Sequence, residues 1–245
     1  MRMLLLVGAS ESTQIAQALA REDRVIATAS QARAGRTPLP LQLPTRIGGW
    51  GGRSEFATWL EREGVEAVLD ATHPFAARIS MRTCDVCREL GVPYIQFLRP
   101  QWTPGDDDRW EFLNREEDAE LHIPPGARVL LGTGRRKIER FNGLAEGRTL
   151  VSRVNEPVYM PFPYPPGRFV LRPAAGTVAA EEAFLHDLGI DWIVARNSGG
   201  GTSAGKLEAA RRLGIPIAMI RRPPQPEAMR IHTISEALAW VRRRL

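Results

Sequence analysis

His73 is the side chain best suited to proton chemistry in this sequence, and it lies in the segment Asp70-Ala71-Thr72-His73-Pro74-Phe75-Ala76. The segment follows an apolar run, residues 65–69, of the kind that forms a buried strand. Polar residues at the carboxyl end of a parallel strand lie where open α/β sheets bind ligands. An imidazole there could donate a proton or bind an acidic group. The alternative is structural, with Asp70 or Thr72 as a helix cap and the histidine satisfied internally.

A glycine-rich stretch, residues 197–201, follows the apolar run 192–195 and precedes a helical pattern over residues 203–213. Glycine lets the backbone approach a ligand closely, and the free N–H groups of a helix N-terminus favour anions. The candidates for holding a phosphate or a carboxylate are Asn197, Ser198, Gly199, Gly200, Thr202 and Lys206. The alternative is an ordinary strand-to-helix loop with a serine or threonine cap.

A similar turn is predicted near the start of the chain, where the apolar residues 3–7 lead into Gly8-Ala9-Ser10-Glu11-Ser12 and then a helix. The turn is not a G-x-G-x-x-G fingerprint, because Gly8 is its only glycine. Its geometry would still place the N–H groups of Ala9, Ser10 and Ser12 at a helix start. Both a cofactor site and a simple strand–helix turn are compatible with this pattern.

Two arginines, Arg33 and Arg36, follow the next predicted strand at residues 24–29. In a mononucleotide-binding unit this position lies near the adenosine ribose. A carboxylate there favours NAD, whereas an arginine accommodates the 2′-phosphate of NADP. If a dinucleotide binds, the sequence therefore predicts NADP with Arg36 as a contact; the alternative is a solvated basic loop.

Two further turns are rich in glycine: Gly48-Gly49-Trp50-Gly51-Gly52 and Gly132-Thr133-Gly134. Glycines this dense indicate unusual backbone geometry or a close approach to a ligand. We therefore include Gly49, Trp50, Gly51 and Thr133 among the candidate site residues.

The elements that position these turns are predicted to be strands and helices that alternate along the whole chain. Such alternation indicates parallel sheets covered by helices on both faces. Pro124-Pro125-Gly126 is the best boundary. We therefore predict an α/β fold of two Rossmann-like parallel-sheet domains, residues 1–123 and 124–245, with a cleft between them. The first domain is predicted to bind NADP, and the second to bind cofactor or substrate.

Composition limits the classes of protein that are possible. The 245 residues are 43% hydrophobic and 25% charged, as in ordinary globular proteins. No apolar run is long enough to span a bilayer or to form a signal peptide, so we expect a cytoplasmic protein without a membrane partner. Cys84 and Cys87 lack a second ligand pair, and we predict buried helix thiols and no metal site.

The formal net charge is +5, and arginine carries most of it. The arginines are scattered rather than grouped with aromatic residues, as they would be at a nucleic-acid surface. A small polyanionic substrate suits this charge as well as nucleic acid does.

Taken together, these motifs resemble the precorrin-6A reductase family of cobalamin biosynthesis, including its cobalt-precorrin form. The resemblance spans nearly the whole chain and is carried by Gly8-Ala9-Ser10-Glu11-Ser12, Ala34-Gly35-Arg36-Thr37, Arg46-Ile47-Gly48-Gly49-Trp50-Gly51-Gly52, Asp70-Ala71-Thr72-His73-Pro74-Phe75-Ala76, Arg99-Pro100-Gln101-Trp102, Asn197-Ser198-Gly199-Gly200 and Lys206-Leu207-Glu208-Ala209-Ala210-Arg211. The family often has Gly-Gly-Thr where this chain has Gly8-Ala9-Ser10, and lysine where it has Arg196.

The resemblance implies NADPH-dependent reduction of one double bond of the precorrin-6A macrocycle to give precorrin-6B, with no metal or flavin in the hydride transfer. For the proton that the product gains, our hypothesis is catalytic roles for His73, Asp70 and Thr72, with His73 as donor and the other two orienting it; the alternative donor is water. The expected NADP contacts are Gly8, Ala9, Ser10, Ser12, Arg36, Thr133, Asn197, Ser198, Gly199 and Gly200. The expected contacts to the tetrapyrrole and its carboxylates are Gly49, Trp50, Gly51, Arg99, Thr202 and Lys206. For Thr133 and the loop from Asn197 to Lys206, contact with the cofactor and contact with the substrate carboxylates both remain open.

Two alternatives remain open at the level of sequence. One is a non-catalytic binder of anionic small molecules or nucleic acid. The other is a different Rossmann-type NADP reductase, such as a sugar-nucleotide or short-chain enzyme, although the short-chain type requires a Tyr-x-x-x-Lys pair that is missing. We expect a monomer or a homodimer that does not bind nucleic acid.

Overall fold

A computed structural model of the protein describes residues 1–32, 41–173, 176–201 and 203–245, apart from the side chain of residue 136. The chain forms two compact units. The first comprises Met1–Pro100 and Pro223–Leu245, and the second comprises Gln101–Arg222. Each unit is built around one six-stranded sheet.

The elements alternate as the sequence predicts. In chain order the strands are β1 (Arg2–Val7), β2 (Ile26–Gln31), β3 (Thr45–Ile47), β4 (Ala67–Ala71), β5 (Tyr94–Phe97), β6 (Trp110–Leu113), β7 (Arg128–Leu131), β8 (Thr149–Val154), β9 (Arg168–Leu171), β10 (Trp192–Arg196), β11 (Ile217–Ile220) and β12 (Arg230–Ile231). The helices are α1 (Ser12–Leu19), α2 (Arg53–Arg62), α3 (Ala77–Leu90), α4 (Ala119–His122), α5 (Asn142–Ala145), α6 (Val178–Asp187), α7 (Ala204–Leu213) and α8 (Ile234–Arg242). Two 3-10 segments, Glu116–Asp118 and Arg135–Phe141, complete the set.

Both sheets are parallel and share one strand order. The first runs β3-β2-β1-β4-β5-β12, and every paired strand in it is parallel. The second runs β9-β8-β7-β10-β11-β6, again with parallel pairs throughout. The strand order reverses at the centre of each sheet, between β1 and β4 in the first and between β7 and β10 in the second. This reversal is the arrangement of a dinucleotide-binding fold. The predicted α/β class with two Rossmann-like parallel sheets is confirmed.

The edge strand beside the fifth strand differs in origin between the two units. In the first unit it is β12, from the end of the chain, and in the second it is β6, which precedes the unit's other strands. The two sheets therefore have the same strand order, but the edge strand comes from the last part of the chain in the first unit and from the first part of the unit's own sequence in the second.

The central strands are buried on both faces because helices cover them. All residues of β4 and of β11 are buried, as expected for parallel strands with two covered faces. In the first unit α1 and α8 pack on one face of the sheet, and α2 and α3 contribute to a second core cluster. The glycines that follow α3 and α7 take the left-handed conformation, with φ of 68° and 66° at Gly91 and Gly214, which ends each helix.

The two units do not divide at the predicted boundary of residues 123 and 124. Pro124-Pro125-Gly126 is a turn inside the second unit, where the Gly126 N–H donates to the Gly147 carbonyl. A proline–glycine cluster marks a local change of direction, whereas the division into units depends on which elements pack together. The short strands β3 and β12 are not predicted from the sequence.

Two other sequence predictions concern the thiols and the membrane. Cys84 and Cys87 are free and buried, and burial raises the pKa of the Cys87 thiol to about 12. Both are buried thiols on α3, as predicted. Within the described part of the chain, no helix combines the length and apolar character needed to cross a membrane.

Candidate cofactor and substrate sites

The winding direction of the first sheet reverses between β1 and β4, and Gly8 lies at this switch point. A Cβ added to Gly8 would lie 2.9 Å from the backbone nitrogen of His73 and 3.2 Å from Cα of Thr72. Only glycine permits so close an approach of the two strand ends. The predicted cofactor turn and the predicted catalytic segment are therefore neighbours.

The turn after β1 is held by its own backbone. The Ala9 N–H donates to the Ala71 carbonyl at 2.9 Å, and the buried Ser12 hydroxyl donates to the Ala9 carbonyl at 2.6 Å. The Ser12 N–H also donates to the Ala9 carbonyl, at 3.2 Å. The Ala9 and Ser12 N–H groups, both predicted cofactor contacts, therefore bond within the protein and shape the turn. The residue before α1, Glu11, makes no side-chain cap to the helix, which leaves the helix N-terminus open to an anion.

Arg99 lies at the same turn. Its guanidinium donates to the Ser10 hydroxyl at 3.0 Å and pairs with the Glu11 carboxylate at 3.2 Å. The structure thus groups Arg99, a predicted substrate contact, with the predicted cofactor turn. Glu11 places a negative charge at the N-terminus of α1, and the Arg99 guanidinium neutralises it.

Gln31 is a candidate that the sequence analysis missed. It is the last residue of β2 and is in register with Val7 of β1. Its side chain is 8% exposed, and its Oε1 atom has no hydrogen-bond partner among the residues that the structure describes. The position at the end of the second strand is where NAD-binding folds carry a carboxylate, and here it is a neutral amide.

Asp70 is fully buried and both of its oxygens are occupied. Oδ1 accepts the Thr72 N–H at 2.9 Å, and Oδ2 accepts the Tyr94 hydroxyl at 2.7 Å. The Thr72 hydroxyl lies 3.0 Å from that of Ser80. The predicted orienting pair therefore fixes the backbone that carries His73, through Thr72.

The His73 ring is half-buried and its tautomer follows from one contact. The Phe75 N–H donates to His73 Nδ1 at 3.2 Å. Since Nδ1 accepts, a neutral ring carries its proton on Nε2. Of the two ring nitrogens, Nε2 is therefore the one that carries a proton to donate.

Trp50 is a core residue in this structure. It is 7% exposed, packs on Phe56 and Trp59, and has the Arg46 guanidinium stacked 3.7 Å from the ring centroid. Its ring faces do not present a surface for a macrocycle here. The adjacent Gly49 and Gly51 are exposed, so the predicted substrate contact is restricted to the backbone of this loop.

The second sheet repeats the switch point between β7 and β10, with Gly132 in the place of Gly8. A Cβ added to Gly132 would lie 2.8 Å from Lys206 Nζ and 3.2 Å from the Val194 carbonyl oxygen. Thr133 follows, 7% exposed, and its carbonyl accepts from Arg196 at 2.6 Å. Thr133 and Lys206, predicted from separate turns, are thus neighbours.

The glycine-rich loop after β10 is fastened to Trp102. The Asn197 side chain accepts the Trp102 N–H and donates to the Trp102 carbonyl, both at 2.9 Å, and the indole N–H donates to the Gly200 carbonyl at 3.1 Å. Gly199 and Gly200 have φ of 67° and 81°, which favours glycine. Asn197 therefore has a structural role, and its side chain is not available as the predicted cofactor contact.

Two of the predicted site residues, Arg36 and Thr202, lie outside the described residues. Over the ranges that are described, no group of three or more histidine, cysteine or acidic side chains is arranged to hold a metal ion.

Comparisons with known proteins agree over the whole chain. The family model described as Precorrin-6x reductase CbiJ/CobK matches residues 2–242. A precorrin-6A reductase of Rhodococcus erythropolis is 38% identical over 98% of this chain and 97% of its own length. The corresponding protein of Rhodobacter capsulatus is 35% identical over 98% and 95%. A cobalt-precorrin-6A reductase of Priestia megaterium is 27% identical over 70% and 71%.

A solved structure agrees as well. The structure titled CobK precorrin-6A reductase superposes with a TM-score of 0.91 at 35% identity, covering 99% of this chain and 96% of that one.

Proposed function

This chain belongs to the precorrin-6x reductase family, and we propose that it catalyses the NADPH-dependent reduction of one double bond of precorrin-6A to give precorrin-6B in cobalamin biosynthesis. Membership of a reductase family favours an enzyme over the non-catalytic anion binder considered from the sequence alone.

The comparisons support the metal-free substrate over the cobalt-containing one. The relatives named for precorrin-6A match at 35–38% identity over 98% of the chain. The relative named for cobalt-precorrin-6A that is described above matches at 27% over 70%. This chain therefore resembles the relatives named for the metal-free substrate over its full length.

The single observation that best supports a dinucleotide is the switch point of the first unit. Gly8, the open N-terminus of α1 and the Arg99 guanidinium would hold the pyrophosphate. Gln31 would meet the ribose at the end of β2, where the absence of a carboxylate suits a 2′-phosphate. Bound NADPH would supply the hydride.

The protein's own chemistry is to position the macrocycle and to supply a proton. When a hydride adds to one carbon of a double bond, the electron pair of that bond is left on the macrocycle. A proton must then add to the macrocycle to complete the reduction. His73 Nε2–H is the proposed donor, held in place by Thr72 and the buried Asp70. Correct placement alone lowers such a barrier by roughly 7–11 kcal/mol.

The decisive assay follows NADPH absorbance at about 340 nm with metal-free and cobalt-loaded precorrin-6A in parallel. We expect consumption of one NADPH per macrocycle, a product heavier by two hydrogens, and faster turnover of the metal-free form. NADH serves as the cofactor control. Unchanged NADPH absorbance with both macrocycles would refute the proposal.

A further inference from the structure

The peptide that joins Pro74 to Phe75 contributes to the orientation of the His73 ring. Its N–H donates to His73 Nδ1 at 3.2 Å. Its carbonyl, which belongs to Pro74, accepts from Gln225 Nε2 at 2.9 Å. A trans peptide is planar, and its C=O and N–H point in opposite directions. A side chain that holds the Pro74 carbonyl therefore also sets the direction of the Phe75 N–H toward the ring.

The Gln225 side chain bonds through both ends of its amide. Nε2 donates to the Pro74 carbonyl and, at 2.8 Å, to the Pro223 carbonyl. Oε1 accepts from Gln96 Nε2 at 2.9 Å. The nitrogen of a primary amide donates and its oxygen only accepts, so the two carbonyls identify the end that is the nitrogen. The orientation of the Gln225 amide is therefore determined by its neighbours.

Gln96 anchors this amide on the sheet. Gln96 is 2% exposed and lies on β5, in register with Asp70 of β4. Asp70 accepts the Thr72 N–H. Two neighbouring strands thus hold the loop after β4 on both sides of the histidine. Asp70 holds it at Thr72, and Gln96 holds it at Pro74 through Gln225.

Gln225 reaches the His73 loop from a distant part of the sequence. It lies 151 residues after Pro74, in the segment Pro223–Leu245 that returns to the first unit. Prolines occupy positions 223, 224 and 226. Each proline fixes its own φ, and a residue that precedes proline is restricted to extended conformations. The backbone therefore presents the Gln225 side chain with little conformational freedom.

We propose that Gln225 is a positioning residue for the reduction. It orients the peptide between Pro74 and Phe75, and the Phe75 N–H then holds the His73 ring with its proton on Nε2. This inference rests on the proposed function for the role of His73 as proton donor. Because Gln225 acts through the ring, its loss should slow the proton transfer and leave cofactor binding unchanged.

The effect on the ring can be observed without substrate. Gln225→Met keeps an unbranched side chain and removes the three hydrogen bonds of the amide. The Phe75 amide should exchange about 2–10-fold faster in this variant, the factor that corresponds to one lost hydrogen bond. The ¹⁵N signals of His73, assigned with His73→Ala, should show the Nε2–H tautomer in the wild type and a mixture of tautomers in the variant. Unchanged exchange and an unchanged tautomer would overturn the proposal.

Kinetics separate a positioning role from a purely structural one. Gln225→Met should lower kcat about 10–100-fold, because a misplaced acid transfers its proton less efficiently. The KM values for NADPH and precorrin-6A should change less than about 3-fold, since the lost interaction acts in the transition state.

A double-mutant cycle tests whether Gln225 acts through His73. In the His73→Ala background, Gln225→Met should cause no further loss of kcat, since the residue through which it acts is missing. An equal loss in both backgrounds would show that Gln225 does not act through the histidine. An undiminished kcat in His73→Ala would exclude both residues from the proton transfer.

Gln225→Glu tests the donated hydrogen bonds alone. Its carboxylate can still accept from Gln96, but it cannot donate to the Pro74 and Pro223 carbonyls. We expect a loss of kcat similar to that of Gln225→Met, and a wild-type kcat would contradict the proposal.

Glu227→Met is the matched control, because Glu227 lies two residues further along the same segment and its side chain is exposed. We expect wild-type kinetics and wild-type exchange at Phe75 from this variant. If the wild-type protein does not reduce precorrin-6A, it is the proposed function that fails. The exchange and tautomer measurements then still decide whether Gln225 positions the His73 ring.

Discussion

Gly8 and Gly132 occupy equivalent positions in the two sheets, yet their surroundings differ. At Gly8 a Cβ would meet the backbone of residues 72 and 73, whereas at Gly132 the nearest atom is the tip of the Lys206 side chain. Backbone cannot move aside cheaply, while a flexible side chain can. Backbone therefore closes the first switch point to a Cβ, whereas the second is occupied by the movable tip of Lys206 and bounded by the Val194 carbonyl oxygen at 3.2 Å.

Gly8→Ala tests this contact. We expect the free energy of unfolding to fall by about 1–3 kcal/mol, because the added methyl group forces the two strand ends apart. The NADPH affinity should fall as well. Denaturant unfolding and fluorescence titration measure the two effects. Gly49→Ala is the control, since a Cβ there has nothing within 4 Å, and an equal loss in both variants would contradict the explanation.

Gln31 should set the choice between the two dinucleotides. A carboxylate at the end of β2 repels the 2′-phosphate of NADP and accepts hydrogen bonds from the ribose of NAD. Gln31→Glu should therefore lower kcat/KM for NADPH relative to NADH by about 10-fold or more. Steady-state assays with both cofactors measure the ratio. A ratio equal to that of the wild type would place the ribose elsewhere.

Lys206 should lower the free energy of unfolding of the ligand-free protein relative to a variant with an uncharged side chain at this position. Removing an unpaired, partly buried cation in Lys206→Met should raise the free energy of unfolding by about 1–2 kcal/mol at pH 7. Because the folded pKa, about 8, lies below the ordinary 10.5, the unfolded chain binds more protons between these values. The stability of the wild type therefore rises with pH from about 8 to about 10.5 relative to the variant. Denaturant unfolding at pH 7 and pH 10 measures both effects, and a variant less stable at pH 7 would contradict the argument.

At the scale of elements, the conformation of the loop between β10 and α7 depends on hydrogen bonds to Trp102, which lies before β6 in the sequence. The Asn197 side chain bonds to the backbone of Trp102 as a neighbouring strand would: it accepts from the Trp102 N–H and donates to the Trp102 carbonyl. The loop and the segment before β6 are consequently one structural piece. These contacts fix the conformation of the loop's glycines.

Asn197→Ala should break the hydrogen bonds between the loop after β10 and Trp102 and so increase the mobility of the loop. The Trp102 N–H and carbonyl would lose their partners, and we expect a loss of about 1–3 kcal/mol in the free energy of unfolding. Hydrogen exchange should increase at the Trp102 amide and across residues 197–201. Asn114→Ala, at an exposed position, is the control and should change neither measurement. Unchanged exchange in Asn197→Ala would show that the loop is held by other contacts.

At the scale of the whole molecule, the chain leaves the first unit after Pro100 and re-enters it at Pro223. The returning segment brings Ile231, Ala237, Trp240 and Val241, all buried in the core of the first unit. Each large apolar side chain contributes about 1.5–3 kcal/mol on burial, against a total stability of about 5–15 kcal/mol for a typical domain. The first unit therefore depends on the last 23 residues of the sequence, Pro223–Leu245.

Fragments test this dependence. Residues 101–222 form a continuous unit and should fold cooperatively alone, whereas residues 1–100 should not. Joining residues 223–245 to residue 100 through a flexible linker of about 10 residues should restore cooperative unfolding. Circular dichroism during denaturation measures the transition. A cooperative transition in the 1–100 fragment would show that the returning segment is dispensable.

The sequence alone predicts most of the local structure. Alternating apolar runs and helical patterns identify the α/β class and the strands that precede each glycine-rich turn, because burial and periodicity are local properties of the chain. The segments around Gly8, His73 and Gly132 are placed correctly at strand ends for the same reason. Short edge strands such as β3 and β12 lack enough residues to show a pattern.

Only the tertiary structure decides which side chains meet. Arg99 joins Ser10 and Glu11, Gln31 ends beside the first switch point, Asn197 fastens Trp102, and Trp50 is buried rather than open to a ligand. The boundary of the units is likewise decided by the return of α8 to the first sheet. These outcomes depend on contacts between residues far apart in sequence, and local pattern carries no information about such contacts because they are selected by the packing of the whole unit.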